Sequence, residues 1–142
     1  MLTLTNITKT FNPGTITEKK ALRGVDLVLD DGDFVTVIGG NGAGKSTLLN
    51  IIAGVHYTDT GSIKLNDINL TRRPEHIRAK YLGRVFQDPM MGTAANMSIE
   101  ENLAMAYRRG KRRGLAWYIK NSEKEFYREK LALLDLGLEN RM

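Results

Sequence analysis

Apolar residues alternate with polar ones at Leu2 and Leu4, and after Asn6 the pattern resumes at Ile7, which predicts a first strand running to Phe11 with weakening alternation. Asn12-Pro13-Gly14 breaks it, and the polar stretch through Lys20 reads as a loop. Val25-Asp26-Leu27-Val28-Leu29 predicts a second strand. Asp30-Asp31-Gly32-Asp33 is a tight turn that delivers the chain into Phe34-Val35-Thr36-Val37-Ile38, five β-favouring residues in a row. The period then changes. Leu48, Leu49, Ile51 and Ile52 fit a helix from about Lys45 to Ala53, with Gly54 placed as its C-cap. Gly61-Ser62-Ile63-Lys64-Leu65 predicts a short strand and Asn66-Asp67 a turn. Pro74 suits the first turn of a short helix through Lys80, and Tyr81-Leu82-Gly83-Arg84-Val85-Phe86 returns to a strand that ends at Gln87-Asp88-Pro89.

Beyond Pro89 the pattern is helical. Ser98-Ile99-Glu100-Glu101 is a capping box followed by Leu103, Ala104, Met105 and Ala106. Ser122-Glu123-Lys124-Glu125 repeats the device, with Phe126, Leu131, Leu134 and Leu138 at helical spacing and Gly137 as a stop. Leu131-Ala132-Leu133-Leu134-Asp135 also matches the pattern of a Mg²⁺-binding strand end, four apolar residues and an aspartate. Leu136 rather than a glutamate follows, however, and helix formers without β-branching fill the segment, so a helix is expected. The expected division is a β-rich core over residues 1–88 and the start of a helical region over 89–142.

Composition adds limits. A chain of 142 residues with 42% hydrophobic and 26% charged residues is ordinary for a soluble globular protein with one core. No apolar run approaches the roughly 18 residues of a membrane span, and the N-terminus lacks the order of a signal peptide. Without cysteines there are neither disulfides nor thiolate metal sites, which is compatible with the cytoplasm. The net charge of +5 is local: setting aside Arg108, Arg109, Lys111, Arg112 and Arg113 from the 21 basic residues leaves balance against 16 acidic ones. A polyanion-binding surface spread over the chain is therefore not indicated, and no nucleic-acid partner is expected.

The candidate chemistry lies where the run 34–38 meets the helix. Gly39, Gly44, Lys45 and Ser46 fit G-x-x-x-x-G-K-[ST], the phosphate-binding P-loop, between a predicted strand and a helix. Gly39, Gly40, Gly42 and Gly44 lack Cβ atoms, so the backbone can curl and aim successive N–H groups at one point, with Asn41 and Ala43 between them. The helix adds its dipole, roughly half a positive charge at the N-terminus. Lys45 can reach the β- and γ-phosphates, the Ser46 hydroxyl can ligate Mg²⁺, and Thr47 completes the turn.

Taken together, these motifs resemble the nucleotide-binding subunit of an ATP-binding-cassette (ABC) transporter. Gly42-Ala43-Gly44-Lys45-Ser46-Thr47-Leu48-Leu49, Ala53-Gly54, Thr60-Gly61-Ser62-Ile63 and Phe86-Gln87-Asp88-Pro89 carry the likeness, as does Ala21-Leu22-Arg23-Gly24-Val25-Asp26-Leu27. The resemblance implies an α/β fold: a P-loop NTPase core, here incomplete, with an N-terminal antiparallel β portion and the start of an α-helical subdomain. It implies ATP and Mg²⁺ as ligands, transmembrane permease subunits and a second nucleotide-binding subunit as partners, and a peripheral place on the cytoplasmic face of the membrane. Phe11 matches the aromatic that stacks on adenine; otherwise it is an ordinary aromatic at a strand end. Gln87 matches the hinge glutamine that contacts Mg²⁺ and the attacking water, an amide able both to accept and to donate; otherwise it is a surface loop residue. Lys45 and Gln87 are thus the expected catalytic residues and Ser46 and Gln87 the expected metal ligands.

The family's Leu-Ser-Gly-Gly-Gln signature, its Asp-Glu strand end and its later histidine have no counterpart here. His56 and His76 lie too early and read as solvent-facing. The chain therefore resembles about the first half of such a subunit and is expected to bind nucleotide better than it hydrolyses it. The flanking strands of the glycine-rich strand would belong to the other half, so unpaired edges and exposed apolar surface are expected. The basic run 108–113 reads either as a solvated interhelical loop or as a patch facing anionic headgroups. An energy-coupling transporter subunit leads, with a soluble cassette ATPase acting on nucleic acid or ribosomes as the alternative. A plain P-loop kinase or GTPase is disfavoured, because its acidic strand end and basic lid are lacking.

Overall fold

The computed structural model describes residues 1–111 and 119–140. Two compact units divide the chain, Met1–Leu82 and Gly83–Met142. The architecture is α/β, with the expected antiparallel portion at the N-terminus.

In the first unit, β1 (Leu2–Phe11) pairs antiparallel with β2 (Lys19–Leu29) on one edge and with β3 (Thr60–Leu65) on the other. The two-residue β4 (Ile68–Asn69) completes a four-stranded sheet of order β2-β1-β3-β4. The late loss of alternation in β1 has a local cause. The register shifts between Leu4 and Ile7, where Asn6 adopts a left-handed φ of 49° and donates its N–H to Asp26 Oδ1 at 2.7 Å. Asparagine tolerates that conformation better than most residues. The bulge turns both Leu4 and Ile7, three positions apart, into the core.

That core joins Leu4, Ile7, Leu22 and Ile63 of the sheet to Leu48 and Ile51 of helix α1 (Lys45–Ala53) and to Leu70. Helix α1 has the bounds its apolar spacing predicts, and Gly54 ends it at φ 89°, its N–H bonding back to Asn50 O and Ile51 O. A short helix α2 (Glu75–Arg78) follows, with Pro74 as its N-cap rather than within its first turn. Strand β2 begins at Lys19, so Lys19 and Lys20 belong to the sheet and not to the loop expected there.

Two predicted strands are absent. Residues 34–38 and 81–86 form no ladder, and Phe34, Ile38 and Val85 are 95%, 88% and 98% exposed. Apolar, β-favouring side chains do not make a strand without backbone pairing, and among the described residues neither segment pairs with the outer edge of β2 or of β4. The expected exposure of apolar surface is accordingly present at 34–38.

In the second unit, the Ser98 capping box forms as predicted: Glu101 N–H donates to Ser98 Oγ at 3.2 Å and Ser98 N–H to Glu101 Oε2 at 2.8 Å, opening α3 (Ile99–Tyr107). The next helix, α4 (Asn121–Ala132), differs from expectation at both ends. Its first turn starts before Ser122: Lys120 is the N-cap, and Glu123 rather than Glu125 is the carboxylate that accepts from the N-cap N–H, at 3.0 Å. It stops well before Gly137, and residues 133–135 form a turn in which Asp135 has φ 52°. The Mg²⁺-strand pattern at 131–135 is thus helix end and turn, not strand. Arg108–Glu123 and Lys124–Glu100 ion pairs, at 2.8 and 3.0 Å, link α3 to α4, and Ala104, Tyr127 and Leu131 are buried. Of the basic run, Arg108 is paired and Lys111 lies 3.6 Å from the Tyr107 ring centroid, while Arg112 and Arg113 fall outside the described residues.

Candidate functional site

The site begins at Gly44, which is the N-cap of α1 at φ 93°. A Cβ there would stand 2.6 Å from the Ala21 carbonyl oxygen and 3.0 Å from Leu22 Cδ2, so the loop can press against β2 only because the residue is glycine. No side chain caps the first turn and no acid lies in it. The amides opening α1 are therefore left to an external acceptor, and the dipole favours an anion there. Upstream, Ala43 N–H donates to Gly40 O at 3.2 Å and closes the turn. The Lys45 ammonium donates to Gly39 O at 2.6 Å and Gly40 O at 2.8 Å, binding the two ends of the loop together.

A cleft of about 300 Å³ lies over this turn, lined on one side by residues 41–47 and on the other by Phe11, Lys19 and Ala21. Asn41, Gly42, Ala43, Gly44, Lys45, Ser46, Thr47 and Phe11, all expected at the site, are thereby brought to one cavity. Gly39 and Gly40 stand behind it as acceptors for Lys45. Gln87 belongs to the second unit, where it is exposed just before a 3₁₀ turn, Pro89–Met91.

The Phe11 ring has two neighbours. His56 meets it edge-on, with ring centroids 5.4 Å apart, and Lys9 Nζ lies 5.7 Å from its centroid. His56 is therefore half-buried against an aromatic and not solvent-facing, whereas His76 is exposed as expected. Lys9 in turn pairs with Asp59 at 2.7 Å, and Asp59 also accepts from Thr10 N–H at 2.6 Å. The Lys9 contact holds the Asp59 carboxyl below its ordinary range, although burial opposes it. The clip fastens the end of β1 that carries Phe11.

Three features escaped the sequence reading. Lys19 and Ala21 line the cleft because β2 begins earlier than its apolar residues suggest. The third is Arg78, whose side chain is fully buried and donates to Ile51 O at 2.6 Å and Ile52 O at 2.9 Å at the C-terminal end of α1, and to Arg73 O and Thr71 O. Burial pushes its guanidinium pKa down, but four carbonyl partners take the place of a counter-ion. Nothing in the alternation around residue 78 marks an inward-facing arginine.

Comparison with known proteins identifies the family. A model of the ABC transporter family matches residues 22–141. The tyrosine transport ATP-binding protein of Clostridioides difficile (strain R20291) is 41% identical over 116 residues, 78% of this chain and 44% of that protein. The spermidine/putrescine import ATP-binding protein PotA of Marinobacter nauticus is 38% identical over 112 residues, 79% of this chain and 28% of the relative. The chain thus spans less than half the length of these curated relatives. Among solved structures, the ATP-binding cassette MJ0796, described as a dimeric post-hydrolysis state bound to ADP and Pi, superposes with a TM-score of 0.74 at 28% identity, covering 96% of this chain and 58% of that one. A nucleotide-free ATP-binding cassette from an ABC transporter gives 0.73 at 30% identity, covering 99% and 56%. With its phosphate loop, its antiparallel β portion and a family match that runs from Leu22 almost to its end, the chain belongs to the ABC transporter family.

Proposed function

We propose that this chain is the nucleotide-binding part of an ABC transporter ATP-binding subunit and that it binds Mg·ATP. The observation that carries the reading is the single cleft in which Phe11 faces a glycine-rich loop opening an uncapped helix N-terminus. The loop amides and α1 receive the phosphates, and Lys45 moves from the Gly39 and Gly40 carbonyls to the β- and γ-phosphates. Phe11, steadied by His56, offers its face to the adenine, a stack worth about 1–3 kcal/mol in comparable settings.

The residues fit a magnesium ion held chiefly through phosphates. Ser46 is exposed at the cleft, and among the described residues there is no cluster of three acidic or histidine side chains that would make an all-protein cage. Mg²⁺ commonly keeps several waters and takes only one or two protein ligands beside phosphate oxygens, and when bound it neutralises part of their charge. Ser46 and Gln87 would supply those ligands, and Gln87 would also orient the attacking water. Residues 1–88 then serve as the nucleotide-binding core and 89–142 as the start of the helical subdomain.

In the whole protein this part would couple ATP hydrolysis to solute transport, with a second nucleotide-binding subunit and transmembrane permease subunits, peripherally on the cytoplasmic face. The described residues contain no helix long and apolar enough to cross a membrane. By itself the chain is expected to bind nucleotide and turn it over poorly, since its sequence holds neither the signature segment nor an Asp-Glu strand end.

Titration with a fluorescent ATP analogue in the presence of Mg²⁺ tests the reading. Lys45→Ala should weaken binding at least about tenfold, the scale of hydrogen bonds to a charged group. Equal affinity in parent and variant would overturn it.

A further inference from the structure

Lys19 is the one cation at the cleft, among the described residues, that the P-loop pattern does not account for. It stands directly across the β1–β2 ladder from Phe11, so the two side chains leave the same face of the sheet. Ala21, two residues on, shares that face and also lines the cleft, whereas Lys20 points the other way, 4.0 Å from Glu18. The ammonium of Lys19 hangs over the middle of the loop: a Cβ built on Gly42 would lie 3.5 Å from its Nζ. Among the described residues it forms no ion pair and no side-chain hydrogen bond. Lys45, by contrast, is engaged with two carbonyls, and Lys9 with Asp59.

We propose that Lys19 is a second phosphate-binding cation of this cleft, which closes on the α- and β-phosphates from the sheet side while Lys45 and the loop amides hold them from the helix side. This rests on the reading of the cleft as a nucleotide site. The position follows from what flanks it. Phe11 and Lys19 are neighbours at one end of the ribbon, so an adenine laid on Phe11 sets the first phosphates beside Lys19 before the polyphosphate reaches Lys45. A flexible ammonium suits such a role, because it supplies charge without the fixed planar geometry of a guanidinium. Its contact serves ATP and ADP alike, so Lys19 raises affinity for both without discriminating between them. Because the side chain is exposed, the attraction is screened by salt.

The test measures the affinity of the chain for Mg·ATP and for ADP at low and high salt, in Lys19→Gln, Lys19→Arg, Lys20→Gln and Lys45→Ala. Lys19→Gln should weaken both nucleotides by about fivefold at low salt, the scale of one exposed charge pair at contact, and flatten the salt dependence. Lys19→Arg should restore affinity to within about twofold, since the charge is kept. Lys20→Gln, which removes the same charge one residue away on the opposite face, should bind like the parent. Unchanged affinity and salt dependence in Lys19→Gln, a loss confined to ATP, or an equal loss in Lys20→Gln would each overturn the proposal. If Lys45→Ala still weakens binding in those cases, the nucleotide reading stands and only the role of Lys19 falls. If no variant weakens binding, the reading itself has failed. Matching thermal unfolding of parent and Lys19→Gln without nucleotide separates a binding effect from a folding one.

Discussion

β1 and residues 34–38 are both built from β-favouring side chains, yet β1 is hydrogen-bonded along two edges and residues 34–38 along neither among the described residues. In β1 the bulge at Asn6 lets Leu4 and Ile7 become buried, whereas Phe34 and Ile38 stand almost fully in solvent. The P-loop thus hangs between a segment without ladder partners and a helix packed firmly on the sheet. The helix, not the strand, therefore places the loop in this chain: Leu48 and Ile51 hold α1 in the core, and Gly44 seats its first turn against Ala21. β-propensity describes how well side chains suit a pleated, half-buried surface, and residues 34–38 have no such surface here.

Mutation can break that contrast at several points. The largest effect is expected in the paired region. Ile63→Ala should cost about 2–5 kcal/mol in urea unfolding, because Ile63 is fully buried between sheet and helix. Next comes the seat of the loop, where Gly44→Ala should cost about 1–3 kcal/mol through its left-handed φ and the clash with the Ala21 carbonyl. Gly40→Ala is its control, since nothing lies within 4 Å of a Cβ at that position. A smaller, pH-dependent effect belongs to the clip at Asp59. Its folded pKa is lowered by Lys9, so its stabilisation is present above the ordinary carboxylate value of 3.8 and disappears as the pH falls through the lower folded value. Asp59→Asn should therefore be less stable than the parent at neutral pH, and thermal scans should show the gap closing below that range. The smallest effect is expected at 34–38, where Phe34→Ser should change stability by no more than about 0.5 kcal/mol. A loss on the scale of Ile63→Ala would show that Phe34 is packed after all and would erase the contrast.

Elements that carry their own hydrogen-bonding logic were legible in the sequence. Helix α1 with Gly54 at its end, and the Ser98–Glu101 capping box, needed only local residues to specify them. So did most of the cleft, because the P-loop is contiguous and Phe11 ends a recognisable strand. What was illegible depended on distant partners. Residues 34–38 and 81–86 look like strands one at a time, and only the sheet decides whether an edge awaits them. Lys19 was hidden because β2 extends through polar residues whose place comes from pairing with β1, not from alternation of their own. At α4 the N-cap is Lys120 and the capping carboxylate Glu123, in place of Ser122 and Glu125, because the helix starts before the serine, at Asn121.

The buried guanidinium of Arg78 has a consequence for how a ligand would meet the loop. A helix dipole has two ends, and here the C-terminal one is already answered by a fixed cation bonded to Ile51 and Ile52 carbonyls. The axis of α1 is therefore set by the chain alone, before any anion arrives at its other end. An incoming phosphate would meet a helix whose orientation is already chosen, leaving chiefly side chains and the loop ahead of Gly44 to be ordered on binding. In calorimetric terms, association should proceed with a modest conformational-entropy penalty and a small heat-capacity change, as in docking onto a prepared surface rather than in folding around the guest.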